Sequence, residues 1–315
     1  MDITLKIAYI EFDLILPLVV GYLCRYQTYC GETFFEKMIN INVWVTVPIL
    51  SLLSFWVLHL NYSLIWLMLF GLILCAISGL AAYLWGRDKY SDDLDRGSYI
   101  LAAMLSNIGT LGGLCAFILY GEIGYAYTQL VTILQSVVTF MFCYPLAQYY
   151  YLRSVGGTRR RTSLKAIFLN LNQLPMVGLL VGAMLYLSGI PRPTFLGALF
   201  DPLVHVVAWT ALIPIGFSTD FSAMKQYYRG ALDLIPIKFI VTPVVAYALA
   251  SVVITDKTAL NTLLILSSTP TAISSVLAAK IYNLNINIAN AAFVLTTAVF
   301  LVVVYPALFL WITLH

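Results

Sequence analysis

Two interrupted apolar stretches constrain this chain more than any other feature. One is Ser106-Asn107-Ile108-Gly109-Thr110-Leu111-Gly112-Gly113, and the other is Ser267-Ser268-Thr269-Pro270-Thr271-Ala272-Ile273-Ser274-Ser275. Each sits near the middle of a hydrophobic span of about membrane length, Ser98–Tyr120 and Ala259–Ile281. Lipid offers no hydrogen bonds, so an unbroken helix is expected there, and irregular backbone survives only where protein buries it or it lines a cavity. A pair of interrupted helices at corresponding places in two halves is the sequence mark of a solute site in membrane carriers. The pattern therefore implies a membrane protein that binds and moves a solute.

Composition agrees, with 61% of the 315 residues hydrophobic and 10% charged, against about 25% charged in soluble domains. The net charge of +3 is too small to indicate a nucleic-acid partner. The segment Ile7–Leu23 has the length of a signal peptide, but Glu11 and Asp13 interrupt it and no small-residue cleavage site follows, so it reads as a retained first helix. Cys24, Cys30, Cys75, Cys115 and Cys143 show no CxxC spacing and read as small hydrophobes, without metal or disulfide. The histidines are His59, His205 and His315, and there is no HExxH, GxSxG or paired intramembrane aspartate. The chain reads as a non-enzyme.

Apolar runs predict an all-α, multi-pass integral membrane protein of about ten helices. They are Ile7–Cys24, Ile39–Leu58, Tyr62–Trp85, Ser98–Tyr120, Tyr125–Tyr150, Leu174–Leu187, Phe195–Phe217, Leu232–Ile254, Ala259–Ile281 and Ile286–Leu314. Connections on one side carry Arg25, Lys37, Arg87, Lys89, Arg96, Arg153, Arg159-Arg160-Arg161, Lys165, Lys225, Arg229 and Lys280, whereas the other side has Lys6, Arg192 and Lys257. The basic side is cytoplasmic by the positive-inside rule, which puts both termini outside the cytoplasm of a cell's inner membrane. The arginine cluster reads as a topogenic signal, with a lipid-headgroup or regulatory site as the competing use.

The halves repeat weakly. Leu16-Pro17 recurs as Leu174-Pro175, Trp44 to Pro48 as Trp209 to Pro214, and Tyr144-Pro145 as Tyr305-Pro306, while Asn107 corresponds to Pro270. These matches keep their order at an offset of about 160 residues, as internal repeats do. The expected organisation is a repeat over 1–151, a basic connection over 152–170 and a second repeat over 171–315. With an odd number of spans in each half the repeat is inverted, and the two breaks meet at mid-membrane.

A helix that restarts inside the membrane begins with unpaired N–H groups and a positive dipole end, which suits an anion. Gly109, Gly112 and Gly113 permit close backbone approach, and Pro270 forbids a continuous ladder. Ser106, Asn107, Thr110, Ser268, Thr269, Thr271, Ser274 and Ser275 supply neutral donors and acceptors for a carboxylate or another small polar solute. Close helix packing is the competing use of such small residues.

At these positions the sequence resembles the auxin efflux carrier family, which includes malate and malonate permeases and the plant PIN carriers. The resemblance rests on Asn107-Ile108-Gly109-Thr110-Leu111-Gly112 with Tyr120-Gly121-Glu122, on Pro270-Thr271-Ala272 with Ala279-Lys280-Ile281-Tyr282, and on Pro48, Pro214-Ile215-Gly216 and Lys238 with Pro243. It implies a bile-acid-symporter-like fold of two inverted five-helix repeats with helices four and nine crossing, assembled as a homodimer. It also implies a carrier of a small anionic substrate, such as a dicarboxylate or an auxin-like acid, by elevator-type alternating access. Helices one, two, six and seven would form a scaffold for a moving bundle. Gly113 or Leu114 replaces a proline often found in the fourth helix, which sets substrate preference apart.

No cofactor is signalled, and sodium or proton coupling stays open. Candidate coupling groups or charge partners are Lys238, Glu11 and Asp13; the competing expectations are snorkelling for Lys238 and an interfacial location for the two acids. Asp201 and His205 stand four apart and read as an interfacial hydrogen bond, with a proton-linked pair as the competing reading. A sodium-coupled carrier and a solute sensor are the alternatives.

Overall fold

The computed structural model describes residues 10–27, 31–59, 64–86, 89–156, 174–218 and 227–314, with the side chains of Ile10, Glu11, Glu32 and Ser218 outside that set. Arg159-Arg160-Arg161 and Cys30 also lie outside the described residues. The described chain is helical, without a strand. Its helices are α1 (Phe12–Cys24), α2 (Thr33–Phe55), α3 (Leu64–Gly86), α4 (Asp93–Met104), α5 (residues 113–120), α6 (residues 122–155), α7 (Leu174–Leu187), α8 (Thr194–Phe217), α9 (Tyr228–Val253), α10 (Lys257–Ser267), α11 (Ile273–Ile281) and α12 (Ile286–Leu314). Six helical stretches are long and apolar enough to cross a membrane, and α1 and α7 are shorter apolar helices.

One of the six runs unbroken by hydrogen-bond pattern from Ile108 to Val155, which as a straight helix would be about 72 Å long, more than twice a bilayer core. Gly121 divides it. Its φ of 63° and ψ of −147° are open to glycine and strained for other residues. A Cβ on Gly124 would meet the Ala116 carbonyl, and one on Gly113 would lie 3.4 Å from the Thr128 methyl. The chain therefore turns back on itself, α5 antiparallel to the start of α6.

Prolines shape the remaining helices. The turns Ile10–Ile15, Asn42–Thr46, Thr139–Cys143, Ile237–Val241 and Phe300–Val304 are π-helical, and each comes just before Pro17, Pro48, Pro145, Pro243 or Pro306. Proline has no N–H and its ring crowds the carbonyl one turn back, so widening that turn lets the helix continue without a clash.

Contacts divide the chain into two compact units that each draw on both halves of the sequence. The first gathers Met1–Tyr62, Gly109–Gln129 and Phe168–Thr219. Within it α1 packs on α8 and α2 on α7 at backbone distance: a Cβ on Gly21 would sit 2.0 Å from the Ile213 oxygen, and one on Gly178 2.1 Å from the Pro48 oxygen. Small residues at such crossings let helices gain van der Waals contact where lipid gives no hydrophobic drive. Buried Asn42 adds bonds from Nδ2 to the Val207 carbonyl (2.8 Å) and Thr210 Oγ1 (2.6 Å).

The second unit gathers Ser63–Ile108, Leu130–Ile167 and Asp220–His315. Helix α3 meets α6 where a Cβ on Gly71 would lie 2.1 Å from the Val131 oxygen. Lys89 pairs with Asp233, Tyr90 Oη donates to the Gly230 carbonyl at 2.8 Å, and Asn285 Nδ2 donates to Asp95 at 2.7 Å.

Candidate functional site

Within the second unit the two chain breaks pair backbone to backbone. Helix α4 stops at Met104 and α10 at Ser267, and an isolated antiparallel bridge joins Ser106 to Thr271. Asn107 N donates to the Pro270 carbonyl and Ala272 N to the Leu105 carbonyl, both at 2.8 Å. Ser106 and Thr271 thus form the non-hydrogen-bonded position of the pair, with Cα atoms about 4.5 Å apart. The leftover groups find side chains: Thr271 N donates to Thr296 Oγ1 at 3.0 Å, and Gln135 Nε2 to the Ser106 carbonyl at 2.7 Å. Backbone that lipid would leave bare is satisfied here by other protein groups.

Lys238 lies beneath this pairing. Its side chain is fully buried (0% exposed), and Nζ donates to Ser106 Oγ at 2.7 Å and to the Leu105 carbonyl at 3.3 Å. It does not snorkel. No carboxylate oxygen of a described residue comes within 4.0 Å of it. The π-helical turn Ile237–Val241, widened ahead of Pro243, contains it.

The hydroxyls of the second break spend their protons on backbone. Ser268 Oγ donates to the Leu264 carbonyl (2.9 Å), Thr269 Oγ1 to Leu266 (2.7 Å), Thr271 Oγ1 to Ala102 (2.8 Å) and Ser275 Oγ to Ala272 (2.8 Å). A hydroxyl whose proton is committed still accepts through its lone pairs. The break is therefore richer in acceptors than its residue types alone indicate, with Asn107 buried beside it and α11 beginning at Ile273. Ser274 sits half-buried on the first turn of α11.

Gly109, Thr110, Gly112 and Gly113 fall in the first unit. Gly109 and Thr110 line a small cavity with Leu114, Tyr125, Val204, Val207, Ala208, Ala211 and Leu212, of about 10 Å³, room for about one water. Tyr125 is buried and its hydroxyl has no hydrogen-bond partner among the described residues. An organic anion does not fit this cavity as it stands.

Asp13 is in the first unit as well, 1% exposed, with Oδ2 at 2.5 Å from His205 Nδ1 and Oδ1 accepting from Trp209 Nε1 at 3.2 Å. The Asp201 carboxylate stands 3.6 Å from His205 Nε2. The spacing of four found this weaker contact, while the closer partner of His205 is far away in sequence. Glu11 is the one candidate whose side chain falls outside the described residues. Sequence reasoning also missed the pair of Arg192 with Glu122, at 2.8 and 3.2 Å, reinforced by the Leu53 carbonyl at 3.0 Å; only the Tyr120-Gly121-Glu122 motif hinted at it.

A larger cavity of about 530 Å³ opens in the second unit, apolar along Ala76, Leu80, Ile100, Met104 and Leu146 and polar at Tyr83, Tyr149, Arg96 and Arg153. Its size suits a small molecule. Both arginines already meet Asp93, at 3.9 Å for Arg96 and 3.0 Å for Arg153.

No family model matches the chain. Over 246 residues, 76% of each chain, it is 27% identical to a protein of Methanocaldococcus jannaschii described as an uncharacterized transporter. With the apolar helices, this likeness supports a membrane transporter.

Proposed function

We propose that this chain is a secondary carrier of a small organic anion, a mono- or dicarboxylate, working by alternating access. The observation that carries the reading is the backbone pairing of two helix breaks, Ser106 to Thr271, with a buried amine beneath it. Broken helices that converge inside a membrane protein leave polar backbone and half-helix ends available to a solute. Lys238 supplies positive charge there, and the positive dipole end of α11 points the same way for an anion. Ser106, Asn107, Ser268, Thr269, Pro270, Thr271 and Ser274 form the substrate region of this proposal. Gly109, Thr110, Gly112 and Gly113, the remaining candidates, belong to the first unit.

The auxin efflux carrier resemblance belongs to the proposal, and with it the inverted repeats over 1–151 and 171–315, the homodimer and the inner-membrane setting with both termini outside. Support for the repeat comes from the helix pairs of the first unit. Exchanging the halves turns the α1–α8 pair into the α7–α2 pair, and both cross at glycine. Support for elevator-type movement comes from the grouping of α1, α2, α7 and α8, the expected scaffold helices, in one unit, although that unit also takes in Gly109–Gln129 from the expected moving bundle.

Purified protein in liposomes should move a small carboxylate without ATP. A neutral or cationic solute that binds where no carboxylate does would overturn the anion assignment. The acceptor-rich second break favours one other reading, a sodium-coupled carrier, and anion flux that stops without sodium would establish it.

A further inference from the structure

Helix α4 ends at Met104, so its last carbonyls sit at the negative end of a half-helix dipole, inside the second unit. In ion-coupled carriers the unwound carbonyls and the C-terminal ends of half-helices are where a cation is held. The break here has that character: hydroxyl protons are committed to backbone at Ser268, Thr269 and Thr271, leaving lone pairs, and the Leu105 carbonyl and Ser106 hydroxyl turn toward one group. That group is the ammonium of Lys238, fully buried, donating at 2.7 and 3.3 Å. A buried ammonium is expensive unless oxygen ligands replace its water, and here the Ser106 hydroxyl and the Leu105 carbonyl accept two of its N–H bonds without a carboxylate.

We infer that the Lys238 ammonium is a tethered cation that takes the place of a coupling ion at the chain crossing, so that the crossing is assembled, and the anion carried, without sodium. The inference rests on the carrier reading for its second clause only. The ammonium balances the dipole end of α4 and holds Ser106 in its pairing with Thr271. A free cation would have to be captured on each cycle, whereas one fixed to α9 is always present.

The test removes the tether and supplies cations from solution. Wild type, Lys238→Ala and Lys238→Gln are purified in one detergent, and thermal unfolding is measured at constant pH and ionic strength with N-methyl-D-glucamine, sodium or methylammonium as the sole cation. Wild type should unfold at the same temperature in all three. Lys238→Ala should be less stable in N-methyl-D-glucamine and recover half or more of that loss in methylammonium or sodium, because a ligand bound only to the native state raises its stability. Lys238→Gln, which keeps a donor and loses the charge, should remain destabilised.

Stabilisation of wild type by sodium would overturn the inference, because a separate ion site would then exist. A folded Lys238→Ala insensitive to every small cation would overturn it too, as would Lys238→Gln matching wild type. Should Lys238→Ala not fold, the wild-type and Lys238→Gln arms decide. Carboxylate flux in liposomes, measured in sodium and in potassium, tests the carrier reading separately. Its failure leaves the thermal result standing, and the reverse also holds.

Discussion

The strongest test of the crossing as a built structure uses two neighbouring threonines of α12. Thr296 Oγ1 accepts the Thr271 amide at 3.0 Å and donates to the Ala292 carbonyl at 2.7 Å, and its side chain is fully buried. In Thr296→Val the shape is kept and the acceptor is lost, so the Thr271 N–H is left buried without the bond it makes now. A stranded buried donor costs about 1–3 kcal/mol, which at roughly 2–4 °C per kcal/mol lowers the unfolding temperature by about 2–12 °C. Thr297 is the internal control. It is nearly as buried, and its hydroxyl has no hydrogen-bond partner among the described residues. Replacing an unsatisfied hydroxyl by a methyl group removes a desolvation cost and breaks no bond, so Thr297→Val should be neutral or stabilising. Differential scanning fluorimetry in one detergent, without substrate, measures both. Equal effects, or a Thr297→Val less stable than Thr296→Val, would refute the hydrogen-bond accounting at the crossing.

Three further outcomes are expected. Asn107→Ala and Pro270→Ala should lower carboxylate binding and liposome flux several-fold while shifting the unfolding temperature little, since the Asn107 amide nitrogen and the residue-270 carbonyl that pair the breaks survive both changes; full activity in both variants removes the crossing from the mechanism. Gly178→Leu should abolish a monodisperse size-exclusion peak, because its Cβ would stand 2.1 Å from the Pro48 oxygen and a close-packed pair cannot open by roughly 1 Å without losing its contacts; Gly31→Ala, whose nearest neighbour is Thr33 Oγ1 at 3.9 Å, should leave the peak unchanged. A double-mutant cycle on Arg192→Met and Glu122→Gln should give a coupling of about 1 kcal/mol, modest because the side chains keep 13% and 29% exposure; no coupling at low salt would make the pair incidental.

The breaks were legible in the sequence because their causes are local. Pro270 cannot donate to a helix ladder wherever it is placed, and the run of serine and threonine around it competes for the same carbonyls, so the helix stops at Ser267 and restarts at Ile273. The glycine run after Ser106 likewise marked where α4 would end. Gly121 was legible as a gap between Tyr120 and Tyr125, and its positive φ supplies the reason. Lys238 was legible only as a cost. Its helix is apolar on nearly every side, so periodicity could not say which way the side chain points, and reaching the surface and turning inward looked alike. The partner of His205 was hidden for a different reason. Asp13 lies 192 residues away, and no local rule connects them.

What the hydroxyls of the second break do could not be read from their identities either, because a serine or threonine is donor and acceptor at once and its neighbours choose between the two. Near the ends of α4 and α10 the protons of Ser268, Thr269 and Thr271 go to the Leu264, Leu266 and Ala102 carbonyls, the first two of which also accept the backbone N–H groups of Ser268 and Thr269. Chain breaks made of hydroxyl-bearing residues next to helix C-termini therefore end as surfaces of oxygen lone pairs. In a membrane such a surface calls for positive charge, and a sequence can answer with a bound ion or with a lysine. At the other break the Leu105 carbonyl and the Ser106 hydroxyl turn their lone pairs to Lys238 in this way, and an anion carried here would meet a charge that belongs to the protein.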